Sequence, residues 1–283
     1  MSRFRIIAWP GPTVPEPPVH PWTVDVIEDE FLTYRAKGAP KELPDEFVLR
    51  ELLDIDVDNS AAIIEFTEQW GLLTSLTPGA GSQPDPFALL PRHETERGET
   101  DRAMRALTDL TARTGANPYY TVPHAAAALH LRVMRALTRQ WIAAQQGDDD
   151  EAVLGAWAAE GLTEPPSLED AWRRWEEHLN TALRPFQVSV HVAVHDDGST
   201  RAEGVLTPNT YAAMALQLAN LVAENAALSI CSNDACARVF SRQRGRAEFG
   251  QHRTRGVLYC SPTCARAQAQ RAYRRRKREE QSS

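Results

Sequence analysis

Cysteine is scarce in this chain of 283 residues, with 4 in all. Lysine is scarcer still, found only at Lys37, Lys41 and Lys277. Arginine takes its place throughout, so a single arginine is no phosphate-binding signal here. Apolar runs of about 18 residues are absent, which excludes a helical membrane span. The N-terminus, MSRFRIIAWPGP, lacks the apolar core and small-residue cleavage site of a secretory leader. A cytoplasmic location is the expectation. In a reducing compartment cysteines serve as metal ligands or free thiols rather than as disulfides. No GxGxxG, P-loop or GxSxG occurs, which removes the recognisable dinucleotide, NTPase and hydrolase signatures. No repeat of solenoid length is found. Carboxylates are plentiful, but none has a catalytic spacing, and no enzymatic activity is expected.

What is present begins with an uneven charge. The net charge is −7. Residues 231–283 carry 13 Arg and Lys against 4 Asp and Glu, whereas residues 1–230 carry 18 against 34. A basic module is fused to an acidic body. With 42% hydrophobic residues the chain is globular, and its length suits one large domain with a small appendage. Three regions follow: a proline-rich arm over 1–22, an acidic and mainly helical body over 23–228, and a cysteine-containing basic module over 229–283.

The arm, with PGPTVPEPPVHP at 10–21, is extended and poor in backbone donors. In the body, DEFVLRELLDID predicts a short helix. DNSAAIIEFTEQWG predicts another, capped at Asn59 or Ser60, with Ile63, Phe66 and Trp70 on one face and Gly71 as its stop. Residues 77–91 are a loop. Helices are expected over about 96–114, 123–146 and 151–160. The second opens at Pro123 and closes at Gly147. The acidic run Asp148–Asp150 is a solvated turn that favours the start of the third. Ser167 opens a further helix that carries Trp172, Trp175 and Leu179 on one face. Valines 188, 190, 192 and 194 alternate with polar or small residues, and Asp196-Asp197-Gly198 supplies a turn, so this stretch is a hairpin. Thr207-Pro208 starts a long helix that runs to Cys231.

The histidines offer little. His191 and His195 share a strand face but lie about 13 Å apart along it, too far for one ion. His124 and His130 point about 120° away from each other on a helix.

The cysteines offer more. Cys231, Cys236, Cys260 and Cys264 fall within 34 residues, spaced C-x4-C, then 23 residues, then C-x3-C. Two close pairs separated by a loop can surround a tetrahedral ion, each pair giving one edge. Four thiolates suit zinc, with an iron–sulfur cluster as the minor alternative. His252 could replace one thiolate, although four cysteines already complete the shell. Polar turn residues separate the first pair, and Val239-Phe240 leads out as a strand. Gly256–Tyr259 is expected to return as a strand. Cys260 and Cys264 then sit at a helix N-terminus, with Ser261-Pro262 as cap and first turn. Knuckle, hairpin and ligand-bearing helix make a treble-clef arrangement. The fold expected is therefore mostly α with a small β-hairpin, ending in a four-cysteine treble-clef zinc finger and a basic helix.

The segment ICSNDACARVF…GVLYCSPTCARAQAQRAYRRRK resembles the CGNR-type zinc fingers at the C-termini of many actinobacterial proteins, which are regarded as stress-induced transcription regulators. The resemblance covers roughly the last 50 residues. It implies that the four cysteines bind Zn2+ and that the basic helix meets DNA. The tetrapeptide that gives the family its name reads Cys264-Ala265-Arg266-Ala267 here, and the second cysteine pair is one residue tighter.

Projected as a helix, residues 265–278 place Ala265, Ala269, Ala272 and Tyr273 in a stripe able to pack on the finger. Arg271, Arg274 and Arg278 lie opposite, flanked by Arg266 and Lys277, with Arg275 nearby. Arg242, Arg244 and Arg246 in the loop, with Arg253 and Arg255, widen the basic surface. These side chains are the candidates for phosphate and guanine contacts. The expectation is a zinc-dependent DNA-binding protein, a transcription regulator whose body senses a ligand or mediates assembly. The alternative is an RNA-binding or protein-interaction module. A further alternative is a solvated helix whose arginines pair with the acidic body.

Overall fold

The structure, a computed structural model, describes residues 14–28, 30–74, 86–91, 97–116, 121–147, 150–186, 189–194, 200–205, 209–241 and 257–282. Among these residues the chain is mostly helical with three small antiparallel sheets. At its centre is helix α4 (His124–Gln146), whose Ala126, Leu131, Met134, Leu137 and Trp141 are all buried. Burial around most of its circumference marks it as the core helix. The short α1 (Glu51–Asp54), α2 (Ser60–Trp70) and α5 (Asp150–Ala158) pack against it, as does α7 (Thr210–Ala223). The alanines of α7 let backbones approach closely, and Tyr211, Met214 and Leu218 fill the gaps. The amphipathic α6 (Leu168–Ala182) brings Trp175 to 6.3 Å from the Trp141 ring. Helix α3 (Arg97–Thr114) covers a satellite cluster of Phe31, Leu107 and Leu110.

The expected helix boundaries hold closely. Asn59 caps α2 by accepting from the Ala61 N–H at 3.0 Å. Ser167 caps α6 through the Asp170 N–H at 3.1 Å. Gly147 closes α4 in the left-handed conformation. Gly71, with φ 104°, ends α2 where a Cβ would lie 2.3 Å from the His20 carbonyl oxygen, so only glycine permits the arm to cross there. Helix α7 starts at its cap Asn209; Thr207 and Pro208 lie outside the described residues.

The arm, described from Val14, is strapped to the body. Asn220 exchanges two hydrogen bonds with the Val14 backbone, at 2.8 and 3.0 Å. Gln217 donates to Glu16 at 2.9 Å and accepts from the Val48 N–H at 3.0 Å. Prolines leave this segment few donors of its own, so side-chain amides from α7 make up the deficit.

A three-stranded sheet is a correction to the helical reading of the body. Strands β1 (Trp22–Ile27), β2 (Phe31–Ala36) and β3 (Thr121–Pro123) form it in that order, all antiparallel. Leu32 and Tyr34 are buried on one face of β2, but Phe31 is buried on the other against α3, so the strand shows no clean alternation. Its turn gave no signal either: Glu28 takes φ 53° without the glycine or asparagine that advertises a hairpin. The expected hairpin is formed by β4 (Ser189–Val194) and β5 (Thr200–Val205), with Val192 opposite Ala202. Its turn and His195 lie outside the described residues.

Among buried charges, Glu160 accepts from Arg135 Nε at 2.6 Å and from Arg139 Nε at 2.5 Å. Arg135 also reaches the carbonyls of Leu52, Leu53 and Ile55. This ties α4 to the end of α1. No helix among the described residues is long and apolar enough to cross a membrane.

Candidate metal centre

The approach to the first cysteine differs from the expectation of a helix running to Cys231. Helix α7 ends at Ala223. Asn225 adopts φ 47°, and the Ala226 N–H bonds back to Leu221 O at 3.0 Å. Asparagine tolerates this left-handed conformation and so can end a helix as glycine does. The following AALS continues a helical pattern in sequence, but Leu228–Ile230 forms strand β6, paired antiparallel with β7 (Val239–Ser241).

Cys231 and Cys236 lie in the turn between these strands. The Cys231 N–H donates to Arg238 O at 2.8 Å. Buried Asn233 organises the turn: its carbonyl accepts from the Cys236 N–H at 2.7 Å and its side chain from the Ala235 N–H at 3.2 Å. Ala237 then takes φ 48°. Such an asparagine-centred turn presents both thiols on one side.

The second pair comes from the return segment. Residues 257–259 form no strand, a correction to the expected Gly256–Tyr259 strand; Gly256 lies outside the described residues. One backbone bond, Ser232 N–H to Leu258 O at 2.7 Å, attaches the segment to the turn. Cys260 precedes helix α8 (Pro262–Ser282) and Cys264 lies in its first turn. Ser261 caps the helix, accepting from the Cys264 N–H at 3.2 Å, as the sequence predicts.

The four sulfurs all lie within 4.8 Å of one another. Cys236 and Cys260 Sγ are 3.7 Å apart, and Cys260 and Cys264 Sγ are 3.5 Å apart. A tetrahedral ion with bonds near 2.3 Å needs sulfur–sulfur edges of about 3.8 Å. The four are free thiols rather than disulfides, and their geometry fits a metal ion. Among the described residues this is the one group of His, Cys, Asp and Glu side chains gathered closely enough to hold one. Cys231, Cys260 and Phe240 form a small buried cluster of their own, flanked by Val257 and Tyr259.

The thiols differ electrostatically. Burial pushes the Cys236 and Cys260 thiols up. Burial also opposes ionisation of Cys264, but hydrogen bonds from Asn233 and Ser261, with its neighbouring sulfurs, lower it to about 6. Its place in the first turn of α8 further favours the thiolate. A bound cation would stabilise all four as thiolates.

The cysteine module is fastened to the body. Buried Glu46, itself at φ 61°, accepts from the Ser241 N–H at 2.7 Å and from Arg50 at 2.8 Å. Arg238 pairs with Asp54 at 2.6 Å, and β6 packs on α4.

Helix α8 carries Arg266, Arg271, Arg274, Arg275, Lys277 and Arg278; Arg242, Arg244, Arg246 and His252 lie outside the described residues. The expected alanine stripe is packed only in part, at Ala265 and Ala272. Ala269 is exposed and Tyr273 is 60% exposed. The partly covered positions are Pro262, Cys264, Ala265, Ala267, Gln268, Arg271 and Ala272. Gln268 donates to Asp234 at 2.9 Å, and Arg275 lies 3.8 Å from the same carboxylate. Asp234, between the first two cysteines, is thus the anchor that apolar periodicity alone missed. Asn233 and Glu46 were missed too. The first had a signal, an Asn-Asp pair between two ligands; the second had none, since it is 195 residues from Ser241.

Elsewhere, His130 is fully buried with its Nδ1 2.7 Å from Ala126 O, and burial holds it down at about 4. It serves the core, not the metal centre. Compared with family models, curated proteins and solved structures, the chain matches none.

Proposed function

We propose that the chain is a zinc-dependent DNA-binding protein, a transcription regulator, whose C-terminal module is a treble-clef zinc finger. Cys231 and Cys236 form the knuckle, in the turn between β6 and β7, and Cys260 and Cys264 are the ligands at the start of the helix. The observation that carries this reading is the meeting of four thiols, at separations matching a tetrahedron, with the first turn of a basic helix. Four thiolates suit zinc. Because they fill its coordination sphere, the ion is structural rather than catalytic. Its work is to fix the N-terminal end of α8, a helix of 21 residues whose charge suits a polyanion. The resemblance to CGNR-type fingers in the cysteine pattern supports the same role. The body would then sense a ligand or mediate assembly.

One observation favours a protein-interaction module instead. Ile230 and Leu258, next to the metal centre, are 54% and 55% exposed. The deciding experiment measures zinc per chain and, on the same preparation, affinity for random-sequence duplex DNA at two salt concentrations. One zinc and affinity that falls steeply with salt support the proposal. One zinc without DNA binding favours the protein-interaction reading. A metal-free preparation with unchanged fold rejects both.

A further inference from the structure

Helix α8 does not present its charge evenly. Cys264, Ala265, Ala267, Gln268, Arg271 and Ala272 are partly covered, and Gln268 and Arg275 both meet Asp234. At about 100° per residue these positions fall within one half of the helix circumference. That side is committed to the finger. At about 100° per residue, Arg266, Gln270, Tyr273 and Lys277 fall within about 60° of one another on the far side. All four are exposed. Arg266 and Lys277 make no ion pair among the described residues. Arg274, also exposed, borders this face.

We infer, resting on the DNA-binding reading above, that α8 enters the major groove with the Arg266–Gln270–Tyr273–Lys277 face toward the bases. The chemistry of the four side chains fits that use. Arginine pairs bidentately with guanine O6 and N7, and glutamine with adenine N6 and N7. Arg266 and Gln270 are one turn apart, about 6 Å along the axis, so they reach neighbouring base pairs. Tyr273 lies between them and Lys277 and can meet a thymine methyl group or a phosphate. Duplex DNA is the occupant because its major groove admits an α-helix. The deep groove of A-form RNA does not, and single-stranded RNA readers depend on several stacking aromatics. This face offers one.

The test uses two doubly substituted full-length proteins, both zinc-loaded. Arg266→Ala with Lys277→Ala strips the proposed reading face. Arg271→Ala with Arg275→Ala strips the finger side. Each removes the same two positive charges, so long-range attraction changes equally and only geometry differs. The probe is random-sequence duplex DNA, titrated at several salt concentrations beside a single-stranded RNA of the same length. The expected result is a loss of at least about tenfold for the first variant, with the salt slope reduced by about two. The second should lose less than about threefold. Equal losses in both would overturn the face assignment and leave α8 an undirected basic helix. A larger loss in the second variant would place the reading surface on Arg271 and Arg275. Tighter binding of the RNA would overturn the major-groove assignment. If the unsubstituted protein binds neither probe, the DNA-binding reading itself fails, an outcome distinct from all of these. Unchanged zinc content and far-ultraviolet circular dichroism verify that both variants fold.

Discussion

Glu46 should decide whether the cysteine module rides on the body or hangs from it. Its side chain is fully buried and holds the Ser241 N–H at 2.7 Å. Truncation by Glu46→Ala leaves that buried N–H unpaired, at about 1–3 kcal/mol. It also opens a small cavity and frees Arg50, which adds about another 1 kcal/mol. A total of about 2–4 kcal/mol corresponds to a melting temperature lower by about 4–12 °C. Glu46→Gln behaves differently, because its amide oxygen still accepts from Ser241. Burial raises the Glu46 carboxyl above its usual value, against the opposing effect of Arg50. The folded value therefore exceeds the unfolded one. The stabilisation is fully present below the unfolded value and is lost as pH rises through the folded one. Glu46→Gln removes that part of the pH dependence and leaves the protein at least as stable near neutrality. The assay is thermal unfolding of wild type and both variants, zinc-loaded, between pH 4 and 8. If Glu46→Ala melts with wild type, or if Glu46→Gln matches Glu46→Ala, the docking argument is wrong.

Three further outcomes are expected. Cys260→Ser, which alters the most enclosed part of the second cysteine pair, should abolish stoichiometric metal binding, measured by elemental analysis; retention of one metal per chain would contradict the assigned shell. Metal affinity should fall as pH drops below neutrality, because thiols that burial pushes up, Cys236 and Cys260, must lose protons to bind; competition with a chromophoric chelator at pH 6 and 8 tests this, and a pH-independent affinity refutes it. Glu160→Ala should lower stability by about 3–5 kcal/mol, since it leaves buried Arg135 without its partner, whereas the more exposed Arg139 adds little. An unchanged urea midpoint would show that the backbone carbonyls alone satisfy Arg135.

Particular residues show what local pattern can and cannot reveal. Asn59 and Ser167 announce helix starts because a cap is satisfied within three residues of itself. The valine alternation over 188–194 likewise announces β4. The turn at Glu28 gives no such notice, Val26 is exposed on the face where Val24 is buried, and adjacent Phe31 and Leu32 are both buried, so the β1–β2–β3 sheet was hidden. Leu228–Ile230 shows the reverse failure: a helical pattern continues through it, yet Asn225 ends the helix and pairing with β7 decides the outcome. Tertiary pairing overrides local preference there.

The sequence by itself determined the cysteine constellation, because covalent spacing limits where four thiols on one short segment can go. It determined the acidic and basic halves and the principal helices, because those depend on composition and on neighbours three or four residues apart. The side of α8 that faces outward was decided only in three dimensions, where Asp234 takes Gln268 and Arg275 across a gap of more than thirty residues. So was the seat of the cysteine module on the body, through Glu46 and Ser241. Both depend on a polar group finding its partner in space, and a hydrogen bond between distant segments leaves no period in the chain.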